Sequence, residues 1–443
     1  MSKKIKKNVS KKKAWRPEHP KINVLAYCDS PSCATGFGTV SRNILEGLYR
    51  TGRYNIDVLG INFWGDPHNF PFRIWPVGTN AEKDPYGRKK ICGMVPQMEY
   101  DILFFLQDTF ILDFLPELIP HLKNQGKKFK SICYFPIDGV PKEQWIKNIS
   151  VVDYPVAYSE FGKKEATKAY ADCPALDVIP HGVNIDEYTP LPKNDVNDFR
   201  KRYFGAQAEK FIFTNLNRNQ QRKDIPRTIQ AFVEFRKHVK ESVLYLHMAQ
   251  VDQGWNLPEV CKAYGLDITK DVVFPENFGP NQGYPRQVVN MLYNCSDCII
   301  STTLGEGWGL SWVEAMATKT PIIMPANTAL VECITDDKGY LVKSGDEASH
   351  FTVLPHDNEI IRPLVNVDDM VDKMLHVYNN YDEAMEKAEN AYKWVKNELN
   401  WKGKIADRWV GVFDKMYEEF VKESTALESD INDEKKEIET EEF

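Results

Sequence analysis

The chain reads as an α/β protein of two doubly wound domains, and three features of the sequence say so. Continuous apolar runs of strand length alternate with helix-length segments, which is the pattern of parallel sheets covered by helices. The 443 residues exceed one ordinary domain and fit two. Near the middle, Asp186 to Asp198 is polar and carries two prolines, as a connection between domains should.

The first domain, placed at residues 20–190, opens with Ile22 to Tyr27, a continuous buried-strand pattern. Asp29 to Gly38 then reads as a loop, Thr39 to Tyr49 as a helix and Ile56 to Gly60 as the next strand. This β-loop-α-β start is Rossmann-like, although Gly36-Phe37-Gly38 is only part of a dinucleotide fingerprint and could serve the turn alone. Further strands are expected at Asp101 to Leu106, Lys130 to Phe135, Tyr154 to Tyr158 and Leu176 to Ile179. Pro136 to Pro141 places Asp138 at a strand's C-terminal end, where it is either a cleft carboxylate or the Asx-turn residue closing its loop. In Ile179 to Asn184, His181 either meets the cleft or is a hydrogen-bonded structural histidine.

The second domain, placed at 199–400, offers strands at Phe211 to Asn215, Val243 to His247, Val272 to Pro275 and Cys298 to Thr303. After Asn215 a short polar loop leads to a helix near Pro226, with Asp224 close to its cap. That holds Arg218 and Lys223 at a strand's C-terminal end, where open α/β sheets bind ligands. With Arg222 and Arg227 also nearby, the plain alternative is a solvated basic loop. After Thr303 comes G-E-G-W-G-L-S-W-V-E-A-M-A-T-K-T-P, Gly305 to Pro321. Glu306 sits in the glycine-rich loop and Glu314 in the opening turn of an apolar helix, so backbone N–H groups and a positive helix end lie beside two carboxylates able to grip sugar hydroxyls. Ser311 and Glu314 also fit a capping box, but that explains neither Glu306 nor the glycines. Residues 401–425 have aromatics at helical spacing, with Trp409, Phe413, Tyr417 and Phe420 forming a packing face.

The segment from Gly305 resembles the E-x7-E signature of the retaining GT-B glycosyltransferases of family 4, through Glu306, Gly307, Trp308, Gly309, Leu310, Glu314, Ala315, Met316, Ala317 and Pro321. Gly339 to Val342 also fits, while Lys319 stands where glycine is usual and Ala326-Asn327 replaces a common glycine pair. The resemblance implies two Rossmann-like domains facing a central cleft, with the last helix returning to the first domain. It implies that Arg218 and Lys223 contact the diphosphate of a nucleotide-sugar donor, that Glu314 accepts hydrogen bonds from the ribose, and that Glu306 holds sugar hydroxyls and supports charge at the anomeric carbon. Gly36 and Gly38 correspond to the loop facing the donor phosphates and acceptor. Many members have a histidine near Asp138, which would here be an acceptor-side or sugar-contacting carboxylate. In relatives the loop after the third strand lies close to the base, which points to Phe274 to Phe278.

A hexosyl- or pentosyltransferase without cofactor is therefore expected, with a nucleotide-diphosphate sugar as donor substrate. No D-x-D sequence occurs, so cationic side chains are expected in place of a metal. A phosphorylase or epimerase of the same architecture, and a silent nucleotide-sugar-binding or scaffold protein, are the other classes. The acceptor stays open among glycan, lipid, protein, small metabolite and modified DNA base. The style of N-R-N-Q-Q-R-K resembles viral and phage members.

Composition frames these readings. Hydrophobic residues at 42% and charged residues at 27% describe a soluble globular chain. No apolar run approaches the roughly 20 residues of a membrane helix. The lysine-rich start lacks an apolar segment behind it and is not a secretory signal. Nine cysteines, odd in number and scattered, argue for reduced thiols in a cytoplasm, that of the host if the protein is viral. Cys295 and Cys298 have no second pair to complete a zinc site. The net charge of −7 conceals a basic arm at 1–19, with seven lysines in the first 13 residues, and an acidic tail at 426–443. Both read as solvated and mobile. The basic arm leaves nucleic-acid contact open.

Overall fold

The computed structural model describes residues 21–79, 81–279 and 283–441, with side chains described through residue 425. The expected basic arm lies outside the described residues. The first sheet is fully parallel and contains β1 (Ile22–Asp29), β2 (Tyr54–Ile61), β3 (Arg73–Gly78), β4 (Ile102–Leu106), β5 (Lys130–Phe135), β6 (Tyr154–Ala157) and β7 (Asp177–Val178). Its order is β3-β2-β1-β4-β5-β6-β7. The second sheet holds β8 (Phe211–Asn215), β9 (Ser242–Leu246), β10 (Val272–Val273), β11 (Cys298–Ile300), β12 (Ile322–Pro325) and β13 (Tyr340–Val342). It repeats the same winding, β10-β9-β8-β11-β12-β13. β14 (Phe351–Val353) and β15 (Ile361–Pro363) form a separate antiparallel hairpin.

Both orders reverse direction beside their first strand, between β1 and β4 and again between β8 and β11. Each reversal opens a crevice at the carboxyl ends of the strands. Asp29 and Asp108 stand at the first crevice; the Arg218–Lys223 loop and the Glu306 loop stand at the second. This is the two-domain GT-B arrangement, with both binding edges turned to one cleft.

The central strands are buried on both faces, as helix-covered parallel sheets must be. β4 and β5 are buried throughout. One core cluster joins the domains: Val24, Phe104 and Tyr134 of the first sheet share it with Trp312 and Met316 of the second domain and with Trp409 and Phe413. The last two belong to the helix Ala406–Glu441, which crosses back to the first domain. Trp409 is fully buried, its ring 4.6 Å from that of Tyr134 and 5.7 Å from that of Phe104. The crossing is fixed by backbone hydrogen bonds from Val183 N–H to Leu399 O at 2.7 Å and from Trp401 N–H to Val183 O at 3.1 Å.

Several local expectations are corrected. Gly36 and Gly38 lie in the first turn of the helix Gly36–Arg50 rather than in the loop before it, because Thr35 caps that helix by accepting from Gly38 N–H at 2.9 Å. The polar connection read at 186–198 contains the start of the helix Lys193–Phe204, whose Tyr203 and Phe204 rings pack on Tyr245. The last helix does not stop near 425 but continues to Glu441; glutamate and lysine are good helix formers, so a solvated composition does not prevent a helix.

Truncating Trp409 to alanine should cost about 3–5 kcal/mol, the usual range for a buried large aromatic. Denaturant unfolding followed by tryptophan fluorescence should show it as a lower midpoint. A midpoint equal to that of wild type would show that the returning helix is dispensable.

Candidate active site

The second sheet's crevice is built from the loop after β8. Asparagine side chains pin this loop: Asn217 Nδ2 donates to Asn215 Oδ1 at 2.7 Å and to Ser301 Oγ at 3.1 Å, and Asn219 Nδ2 donates to Trp255 O at 2.7 Å. The loop closes in a single 3-10 turn, Gln221–Lys223, before the helix Ile225–Arg236. Two adjacent cations, Arg222 and Lys223, are thereby held on a rigid support.

Lys223 is buried and its ammonium pairs with Glu306 Oε1. Arg222 reaches Glu306 Oε2 at 3.6 Å and donates to Gly305 O. In the other direction its Nε lies 3.2 Å from Asp138 Oδ2, on the first domain. Arg362, from β15 and only 2% exposed, completes the chain, with Nη1 3.1 Å from Asp138 Oδ1 and Nε 2.7 Å from Asp357 Oδ2. The charges thus run Lys223, Glu306, Arg222, Asp138, Arg362, Asp357, crossing the cleft between the domains.

Glycine makes this approach sterically feasible. A Cβ on Gly305 would stand 2.1 Å from Asp138 O, and one on Gly307 would stand 2.6 Å from Pro136 Cβ. The two loops touch so closely that no side chain fits at either position.

Burial alone would raise both cleft carboxyls. For Glu306, Lys223 and then Arg222 overcome burial and bring it below the ordinary glutamate value. Arg222 and Arg362 do the same for Asp138. Lys223 moves the other way, down to about 8, through burial and repulsion from Arg222 that Glu306 only partly offsets. The site therefore holds ionised carboxylates and a lysine whose charge is easily drawn to a new anion.

The other expected residues fall as follows. Arg218 is exposed and forms a two-pronged pair with Asp252, its Nε 2.7 Å from Oδ2 and its Nη2 3.3 Å from Oδ1; it is not joined to the charge chain. Glu314 lies past the opening turn of the helix Leu310–Ala317, and Ser311 does not cap that helix, whose N-cap is Gly309. The alternative reading of Ser311 and Glu314 as a capping box therefore fails. Glu314 instead accepts from Tyr293 Oη at 2.8 Å, and burial pushes its pKa up to about 7 against the hydrogen bonds from Tyr293 and Tyr188. Trp308 is 4% exposed and packs on Trp312, so its side chain belongs to the core. Gly309, at φ +89°, makes the turn into the helix. Leu310 faces Gly36 across the cleft, 3.8 Å from where a Cβ would be. A Cβ on Gly38 would collide with Cys33 O at 2.6 Å.

His181 is structural. It is buried, hydrogen-bonded to Tyr134 Oη at 2.8 Å, and held neutral by burial, with its pKa at about 3. Among the described residues there is no cluster able to hold a metal ion and no helix long and apolar enough to cross a membrane. Sequence reasoning missed Arg362 and Asp108, and it treated Arg222 only as part of a solvated loop. The adjacency of Arg222 to Lys223 was a usable signal for the last. A cavity of about 620 Å³ opens beside this site at the ends of β9 and β10, lined by Met248, Gln250, Phe274, Glu276 and Phe278 among others.

Comparison with known proteins bears on the second domain and the fold. Residues 197–353 match the family described as "Glycosyl transferases group 1". That segment is similar to a group 1 glycosyltransferase domain, and the chain has the GT-B fold. The segment includes Arg218, Lys223, Glu306 and Glu314. The serotype-specific mannosyltransferase WbdA of Escherichia coli is 22% identical over 335 residues, covering 68% of this chain and 38% of its own. The chain thus spans well under half the length of that relative. The sucrose-phosphate synthase of Thermosynechococcus elongatus superposes with a TM-score of 0.69 at 15% identity, over 90% of this chain and 99% of its own. HepE of Anabaena, solved in complex with UDP-glucose, superposes with a TM-score of 0.66 at 14% identity, over 89% of this chain and 100% of its own.

The raised pKa of Glu314 has a consequence for stability. Between pH 4.5, the ordinary glutamate value, and about 7, the folded protein keeps a proton that the unfolded chain has released. Stability carried by this group therefore falls as the pH rises through that window. Glu314→Gln should remove this share, so the difference in unfolding free energy between variant and wild type should shift toward the variant from pH 4.5 to 7 in denaturant titrations. A constant difference would show that Glu314 is not held protonated.

Proposed function

We propose that the protein is a retaining glycosyltransferase that moves a sugar from a nucleoside-diphosphate sugar to a hydroxyl acceptor. The observation that carries this reading is the buried Lys223–Glu306 pair, with Arg222 beside it, at the second sheet's crevice. A donor diphosphate placed there would compete with Glu306 for the ammonium of Lys223, and Glu306 would turn to the sugar hydroxyls. The cavity after β9 and β10 would take the nucleobase, and Glu314 would accept from the ribose, as the resemblance implies.

The leaving nucleoside diphosphate gains negative charge as the glycosidic bond breaks, and fixed cations lower the barrier by meeting that charge. Lys223 and Arg222 are preorganised for this. Arg218 would leave Asp252 to join them, which its exposure allows. The new bond would form on the face from which the diphosphate leaves, with a phosphate oxygen taking the acceptor's proton. No protein nucleophile is assigned, because Asp138 and Glu306 are both tied to cations. Asp138 would close the reacting face from the first domain. The mechanism needs no metal, and turnover should survive EDTA.

The E. coli relative is by name a mannosyltransferase, and HepE was crystallised with UDP-glucose. GDP- and UDP-hexoses are accordingly the first donors to screen, with release of nucleoside diphosphate as readout. Lys223→Ala should lower turnover about a hundredfold, the usual effect of losing one preorganised contact to developing charge, and Arg218→Ala, whose side chain must first leave Asp252, should lower it less. Both should weaken binding of the free nucleoside much less. The double variant should lose less than the product of the two if both serve one diphosphate. Near-native turnover in a folded double variant would overturn the reading. Binding without turnover in wild type would favour a silent nucleotide-sugar-binding protein.

A further inference from the structure

The first sheet has its own crevice, between β1 and β4, across the cleft from the Lys223 loop. Asp29 ends β1, and Asp108 follows β4 by two residues. Asp29 is committed to its own loop: Oδ2 accepts from Thr35 Oγ1 at 2.7 Å and Oδ1 accepts from Gln107 Nε2 at 3.3 Å. The same Gln107 side chain fixes the next residue, since its Oε1 accepts from Asp108 N–H at 3.0 Å.

The carboxyl of Asp108 is different. It is half-buried, and among the described residues it makes no hydrogen bond or ion pair. The other carboxylates of the cleft are matched, Asp138 by Arg222 and Arg362, Glu306 by Lys223 and Arg222, and Glu314 by tyrosine hydroxyls. A partly buried carboxyl without a partner is costly, so one that persists at a ligand crevice calls for a ligand. Burial, then Asp138, hold its pKa up at about 7 against the pull of Arg222, so at neutral pH the group both accepts and donates.

We propose that Asp108 receives the acceptor, hydrogen-bonding a hydroxyl or ammonium of a neutral or amino sugar and disfavouring a phosphorylated one. The assignment rests on the glycosyltransferase reading above. The charges decide the acceptor class. Asp29, Asp108 and Asp138 end neighbouring strands, and Arg222 is the cation that acts on Asp108. Once the donor diphosphate occupies Arg222 and Lys223, a phosphorylated acceptor would face Asp29, Asp108 and a second phosphate, while Arg362 stays held by Asp138 and Asp357. The same argument works against a nucleic-acid acceptor.

Trp64 supports a sugar. It lies in the turn after β2, at the same edge of the sheet, and is 66% exposed. β2 is two strand positions from β4, about 10 Å across a sheet. An exposed indole offers a flat surface to the apolar face of a pyranose ring.

The test measures transfer from the preferred donor to methyl glucoside, methyl glucosaminide and methyl glucoside 6-phosphate, with products followed by mass spectrometry. Wild type should use the first two and use the phosphate at least tenfold less well. Asp108→Asn should raise acceptor KM at least tenfold, move donor KM less than twofold, and leave the thermal midpoint unchanged or higher, because no native contact is lost. Trp64→Ala, an exposed position that does not threaten folding, should raise acceptor KM severalfold with kcat retained. Equal use of the phosphate, wild-type acceptor kinetics in Asp108→Asn, or donor hydrolysis without transfer to any of the three would overturn the assignment. A wild type that neither binds nor hydrolyses any nucleotide sugar would instead overturn the glycosyltransferase reading, and this assignment with it.

Discussion

The cleft is held in one shape by the ion chain that joins Lys223, Glu306, Arg222, Asp138 and Arg362 across the two domains. Removing such groups from water is expensive, and hydrophobic residues of the same volume would often serve stability equally well. What the charges supply is position. Arg222 is pulled from one side by Glu306 and from the other by Asp138, so the meeting of the two domains and the placement of the Arg222 and Lys223 cations are a single arrangement. An anion arriving at Lys223 enters a network whose carboxylates are already ionised and whose lysine is destabilised as a cation, and it relieves that lysine.

The glycines follow from the same constraint. The loops carrying Glu306 and Asp138 approach until the position of a Cβ on Gly305 falls 2.1 Å from a backbone oxygen. The departures from the usual motif are local adjustments. Lys319, where relatives carry glycine, keeps the left-handed backbone at φ +60° and pairs with Glu389. Asn327, in place of one glycine of a common pair, uses its amide to tie Thr303 O at 3.0 Å to Ser344 Oγ at 3.1 Å. Its neighbour Thr328 accepts from Glu306 N–H at 2.9 Å, so this loop buttresses Glu306.

The sequence made the architecture legible because buried parallel strands are continuous apolar runs, and because the residues after β8 and β11 keep their order and spacing along the chain. Lys223 and Glu306 could be named for that reason. Their pairing could not, since it spans 83 positions, and Arg362 meets Asp138 across 224. Arg362 lies on a short hairpin whose strands of three residues carry little periodic signal. Asp108 followed an ordinary strand and matched no motif; its interest comes from lacking a partner among the described residues, which only the fold can show. Trp308 shows the converse: it stands inside the signature, yet its side chain packs in the core. Glu314 looked like half of a capping box because Ser311 stands three residues before it, yet the helix starts two residues earlier and turns that carboxyl toward Tyr293.

The central claim is that Lys223 exchanges Glu306 for a donor diphosphate, and ligand-induced stabilisation tests it most directly. The unfolding midpoint should be measured with UDP, GDP and ADP, and with the matching nucleosides, for wild type and Lys223→Ala. The account predicts that at least one diphosphate raises the wild-type midpoint, that its nucleoside does so far less, and that Lys223→Ala loses most of this difference. Equal stabilisation of wild type and variant by the diphosphate, or no response of wild type to any of the three, would contradict it.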